Sequence, residues 1–193
     1  MIICGMYLFL YALGFIIPQK TTHPVLQRLS KPVTIAHQGG NKIYPDESLL
    51  AFNNAVDMGI QVLEVDIHRT RDGVIVINHD QTIDRLTDSS GLIREMSWSG
   101  LRQVDGAYNW SPDGLTYPYR GKGVKILSLT AVLDSFPQQV YDIEIKQHDP
   151  PLENDLCDIL RQYGIASNQV IVASFSDKTL NRFQHACPEV ATS

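Results

Sequence analysis

The sequence is poor in cysteine. Its 193 residues contain three, Cys4, Cys157 and Cys187, and no two are closely spaced. Such a set reads as neither a disulfide framework nor a zinc site. Any excess of positive charge is also missing: 16 Lys and Arg stand against 21 Asp and Glu, for a net charge of −5 and a pI near 5.6. That argues against a nucleic-acid binder, because affinity for a phosphate backbone needs a basic face. No internal repeat or low-complexity tract appears. Residues 1–19 carry no charged side chain, so the basic n-region of a removable signal peptide is absent, as is its small-residue cleavage site. What is present, 44% apolar and 19% charged residues, is an ordinary globular composition, in a length that suggests one domain with a sizeable core.

Ile2 to Ile17 is a nearly unbroken apolar run, close to the shortest helix that crosses a bilayer. Residues 1–20 therefore read as a transmembrane anchor or uncleaved signal-anchor, with a buried core helix as the alternative. Lys20, Arg28 and Lys31 follow it, which by the positive-inside rule favours a cytoplasmic domain. The expected localisation is a single-pass membrane protein, with the side left open. Residues 21–32 are polar, hold two prolines and read as a linker.

From residue 33 onward, short β-prone runs alternate with helical spacing. Strands are expected at 33–36, 60–67, 74–77, 141–146 and 170–174. Helices are expected at 48–58, 128–136, 152–163 and 177–186, with a polar insertion at about 81–125 that holds one short helix near 99–104. Alternating strands and helices imply parallel βα units. Polar residues gather where strands end, the edge on which such folds build their sites.

Glu64 and Asp66 are two apart on a strand and share a face. Two carboxylates there are costly unless a cation neutralises them, and hard cations choose carboxylate oxygens. Glu144 ends another strand, with Lys146 on its own face and Asp142 deeper on it. His37 and His79 each end a strand, and a pair of histidines can serve as base and acid near neutral pH. His68 shares the parity of Glu64 and Asp66. Gly39-Gly40 permits positive φ and close backbone approach. Tyr108, Trp110, Tyr117 and Tyr119 crowd the insertion, as loop packing, a lid or a lipid-touching surface.

Taken together, these residues form motifs in a known order. They are Ile35-Ala-His37-Gln-Gly-Gly40, Pro45-Asp-Glu-Ser-Leu-Leu-Ala-Phe52, Leu63-Glu-Val-Asp66, Thr70-Arg-Asp-Gly73, Asn78-His-Asp80, Arg85-Leu-Thr87 with Gly91, and Asp142-Ile-Glu-Ile-Lys146. In this the chain resembles the glycerophosphodiester phosphodiesterases. The resemblance implies a TIM (β/α)8 barrel and hydrolysis of glycerophosphodiesters to glycerol 3-phosphate and an alcohol. It implies one divalent ion, Mg²⁺ or Ca²⁺, on Glu64, Asp66 and Glu144. His37 and His79 become the acid–base pair, in either order, and Lys146 and Gln38 become substrate contacts. A lysophospholipid is the alternative substrate and an inactive, truncated barrel the alternative to an enzyme. No nucleic-acid or protein partner is implied.

The chain departs from the family pattern in three places. The usual His-Arg-Gly is His37-Gln38-Gly39, and Gln38 donates hydrogen bonds without a charged fork. The usual Pro-Glu-Asn-Thr is Pro45-Asp46-Glu47-Ser48. Two acidic residues usual after Thr-Leu are Thr130 and Ala131 here. Residues 33–193 are also few for a (β/α)8 barrel, which needs at least about 200. The expected architecture is thus a C-terminally incomplete barrel behind an N-terminal membrane helix.

Overall fold

The computed structural model describes residues 23–193. Seven strands form one sheet: β1 Ile35–Ala36, β2 Val62–Arg69, β3 Ile75–Ile77, β4 Leu127–Ser128, β5 Val140–Ile145, β6 Val170–Ala173 and β7 Ala191–Thr192. Six helices accompany them: α1 Pro24–Gln27, α2 Leu49–Asp57, α3 Trp98–Leu101, α4 Leu129–Ser135, α5 Glu153–Gln162 and α6 Asp177–Ala186. Serine side chains start four of them, as Ser48, Ser97, Ser128 and Ser176 each accept a first-turn N–H that would otherwise lack a partner.

Strands β1, β2, β5, β6 and β7 are neighbours in chain order and run parallel. They are consecutive staves of a barrel wall, and the described sheet does not close. On the outer face, Leu63, Val65, Ile67, Ile143, Ile145 and Val172 pack under α2, α4, α5 and α6 in the main apolar cluster. Each such side chain contributes roughly 1.5–3 kcal/mol by leaving water. The opposite face carries the polar residues, and at its foot Val62 and Val140 pack with Val25 of α1. The stretch read as a linker thus sends one side chain beneath the wall.

Three expectations need correction. First, not every strand belongs to a parallel βα unit. β3 returns antiparallel to β2, and β4 antiparallel to β3, because residues 70–74 make a tight turn too short for a parallel crossover. Second, Cys157 and Cys187 form a disulfide. Their separation of 30 residues hides a pairing that arises because α5 packs on α6. Third, the single-pass membrane localisation and its N-terminal membrane helix are withdrawn: among the described residues no helix is long and apolar enough to cross a membrane, and residues 1–20, on which the expectation rested, lie outside them.

Breaking the Cys157–Cys187 bridge releases a loop closed across 30 residues. Reduction is expected to lower the unfolding free energy by about 3–4 kcal/mol. Urea denaturation with and without reductant measures it, and coincident transitions would oppose it.

Candidate active site

Register builds the centre of the site. β2 and β5 pair so that Glu64 lies beside Asp142 and Asp66 beside Glu144. Strand parity sends all four carboxylates to the polar face, with His68 and Lys146 one step further along. One ligand oxygen each from Glu64, Asp66 and Glu144 lies within 4.8 Å of the others. Lys146 Nζ stands 2.8 Å from Glu144 Oε1 and 3.2 Å from Asp66 Oδ1. The second approach lacks hydrogen-bond geometry, so Asp66 Oδ1, on a fully buried residue, has no hydrogen-bond partner, nor has the buried Asp142 Oδ1.

These oxygens suit a divalent cation. Carboxylates supply hard donors, and among the described residues Lys146 alone brings positive charge to this cluster of carboxyl groups, so a further cation is favoured. The charges show the same need. Burial, then the Asp66 charge, pushes Glu64 up to about 8, although the Gln38 N–H works the other way. Burial followed by Glu144 and Asp66 raises Asp142. Burial disfavours the Lys146 ammonium, but Glu144 and Asp66 outweigh it and hold the group above its ordinary range.

His37 follows β1 on a tight turn, His37–Gly39. Gly39 is required there: its φ is +74°, and a Cβ would lie 2.8 Å from the Phe52 ring. That close approach seats the turn on α2. The side chain of Gln38 is buried and donates from Nε2 to Asp66 Oδ2 at 3.2 Å, while its backbone N–H donates to Glu64 Oε2 at 2.6 Å. His79 lies beyond β3. Its Nδ1 meets Asp80 Oδ1 at 2.8 Å, and Arg85 ties Asp80 to Asp46. Because an ionised carboxylate only accepts, Nδ1 carries a proton and Nε2 is left to exchange one. The His79 loop is fastened to the carboxylate strand twice: Asn78 N–H donates to the Asp66 carbonyl at 2.9 Å, and His68 Nε2 lies 3.3 Å from the His79 carbonyl.

The two histidines share a cleft of about 610 Å³ with Gln38, Arg85 and Trp110. Trp110 packs edge-on to Tyr119, with ring centroids 5.4 Å apart, and Arg120 stacks on Tyr108 and Tyr117. The insertion is therefore an ordered wall of the cleft. A smaller cavity of about 240 Å³ opens beside Lys146, lined also by His68, Arg94 and His148. All the site residues expected from sequence thus occupy one end of the sheet. Sequence reasoning did not single out Glu47, Asp80, Arg85 or Asp46 as parts of the site. Each stood inside a quoted motif, but its role depends on a partner elsewhere in the chain.

With no ion bound, the raised carboxylates bind protons in the folded state that the unfolded state has released. Their stabilisation is complete below the ordinary value and is lost as pH rises through the folded value. For Glu64 the window runs from 4.5 to about 8. The melting temperature in chelator is expected to fall between about pH 5 and about pH 8, and Mg²⁺ or Ca²⁺ to restore it at the upper end. A level or rising profile in chelator would oppose this account.

Comparison with known proteins identifies the family. The model of the glycerophosphoryl diester phosphodiesterase family matches residues 37–191. A glycerophosphodiester phosphodiesterase of Bacillus subtilis is 29% identical over 172 residues, covering 83% of this chain and 58% of the relative. One from Caldanaerobacter subterraneus is 27% identical over 165 residues, covering 83% and 65%. Among solved structures, an Oleispira antarctica phosphodiesterase in complex with the product sn-glycerol-3-phosphate superposes with a TM-score of 0.73 at 26% identity, covering 87% of this chain and 66% of that one. The chain thus spans less than two thirds of the length of both curated relatives. On the extent of the family match, the chain belongs to the glycerophosphoryl diester phosphodiesterase family.

Proposed function

We propose that this chain carries the catalytic centre of a metal-dependent glycerophosphodiester phosphodiesterase, releasing glycerol 3-phosphate and an alcohol. The observation that carries the reading is the convergence of Glu64, Asp66 and Glu144 with Lys146, joined through Gln38 to the cleft that both histidines line. A phosphodiester resists attack because its anionic oxygens repel nucleophiles. Glu64, Asp66 and Glu144 would hold one divalent ion, Mg²⁺ or Ca²⁺, which when bound supplies Lewis-acid stabilisation of the charge developing on the phosphoryl oxygens. Lys146 adds a fixed positive charge at the same place.

The two histidines handle the protons. One takes a proton from the attacking hydroxyl, whether water or the substrate's own glycerol hydroxyl, and the other gives one to the leaving alkoxide. Asp80 fixes which His79 nitrogen exchanges a proton. Gln38, expected as a substrate contact, lines the cleft but commits its amide to Asp66. We assign it to support of the ligand set. The cleft's charged lining, which includes Lys42, Asp46 and Arg85, favours a water-soluble diester over a lysophospholipid.

Incubation with glycerophosphocholine and Mg²⁺, Ca²⁺ or Mn²⁺ is expected to release glycerol 3-phosphate, and chelator to stop it. Turnover of a lysophospholipid alone would replace the substrate assignment, and no turnover of either would reject the enzyme reading. Glu64→Gln is expected to abolish both metal binding and turnover. His79→Asn should leave metal binding intact and lower kcat by about 10²–10⁴-fold; unchanged kcat would remove His79 from the acid–base pair.

A further inference from the structure

The edge of β2 has a gap at the point where its carboxylates stand. β1 pairs with Val62 and Leu63, and β3 pairs only from Ile67 onward. The Asp66 N–H falls in this gap, and a buried N–H needs an acceptor. No strand supplies one. The Glu47 side chain does, with Oε1 accepting the Asp66 N–H at 2.8 Å.

Glu47 reaches that place through a closed circuit. Its own N–H donates to the Gln38 carbonyl at 2.9 Å. The Gln38 amide donates to Asp66 Oδ2, and Asn41 Nδ2 donates to Gln38 Oε1 at 3.1 Å, which sets the direction of that amide. Gln38 and Glu47 both stand at positive φ, 52° and 54°. Side chains rarely accept that conformation, and it persists where the surroundings over-determine it. Glu47 is anchored from the other side as well. The next residue, Ser48, donates to the Pro45 carbonyl and caps α2. Glu47 is only 6% exposed, so solvation does not account for a carboxyl group there.

We propose that Glu47, working with Gln38, is a positioning residue that fixes Asp66 for divalent-ion binding. The proposal rests on the ligand set given above. Glu47 acts through the Asp66 backbone, and Gln38 through the Asp66 carboxylate, so the peptide and the side chain of one ligand are held from opposite ends of a single circuit. Loss of a group that orients a ligand in this way commonly costs about 10- to 100-fold in metal affinity.

Titration calorimetry of the whole chain with Mn²⁺ and with Ca²⁺ tests it, independently of turnover. Glu47→Ala removes the acceptor and is expected to weaken binding about 10- to 100-fold while a cooperative thermal transition is retained. Glu47→Gln keeps a carbonyl acceptor of the same length and is expected to stay within about threefold of the wild type. Equal affinity in Glu47→Ala overturns the proposal. So does an equal loss in both variants, which would make the Glu47 charge itself, rather than its hydrogen bond, the contribution. Should Glu47→Ala fail to fold, Gln38→Ala and Glu47→Gln decide. A loss of about tenfold or more in the first and none in the second supports positioning, and any other pattern rejects it. A wild type that binds no ion overturns both the ligand set and the positioning role. A wild type that binds the ion but cleaves no diester overturns only the proposed activity.

Discussion

The structure turns on a repulsion. Glu64 and Asp142 are neighbours across the β2–β5 ladder, as are Asp66 and Glu144, on a largely buried face. Two like charges about 4 Å apart repel by about 4 kcal/mol even at an effective dielectric of 20. A change of register cannot relieve this, because the pairing that brings the carboxylates together is set by the apolar residues between them. Leu63, Val65, Ile67, Ile143 and Ile145 all face the main core, and slipping either strand by a residue would turn its own apolar set away from that core. The hydrophobic core therefore enforces an acidic cluster on its opposite side.

The surroundings of the cluster read as successive answers to that repulsion. Lys146 contributes positive charge. The Gln38 N–H and amide donate to Glu64 and Asp66. Neither satisfies every buried oxygen, and the remaining deficit is one that a hard cation fills. An ion bound there would couple folding stability to its own binding at the same atoms. The histidines stand apart from this conflict. They sit on turns beyond the strand ends, which are tied to the acidic strand through Gln38 and through the Asp66 and His79 carbonyls.

Much of the centre was legible in the sequence because strand parity is local. Two residues apart on a strand means one face, so Glu64 with Asp66 and Glu144 with Lys146 could be paired without a structure. The order of strands and helices held for the same reason: apolar periodicity and the residues at helix starts act over a few positions. What escaped depends on partners far away in the chain. Asp142 gains its importance from standing opposite Glu64, which only register reveals. Glu47 gains its own from a gap in the edge of β2, and Asp80 and Arg85 from a chain of contacts back to Asp46. The Cys157–Cys187 bridge follows from helix packing. The β2–β3 hairpin had a legible signal in Asp72-Gly73, but the alternation of elements around it suggested a uniform parallel wall.

That hairpin divides the molecule's labour. The parallel staves carry the carboxylates and the lysine, whereas the ribbon of β3 and β4 carries the segment from which Trp110, Tyr119 and Arg120 arise. The ribbon is a side branch, joined by backbone pairing to the wall at β2 alone. Residues can be added to or removed from the branch between its strands without shifting the register of any stave. The entrance to the cleft can therefore be recut while the carboxylates on the staves stay in place, and the shape of the cleft and the charge of the acidic centre become separately adjustable properties of one chain.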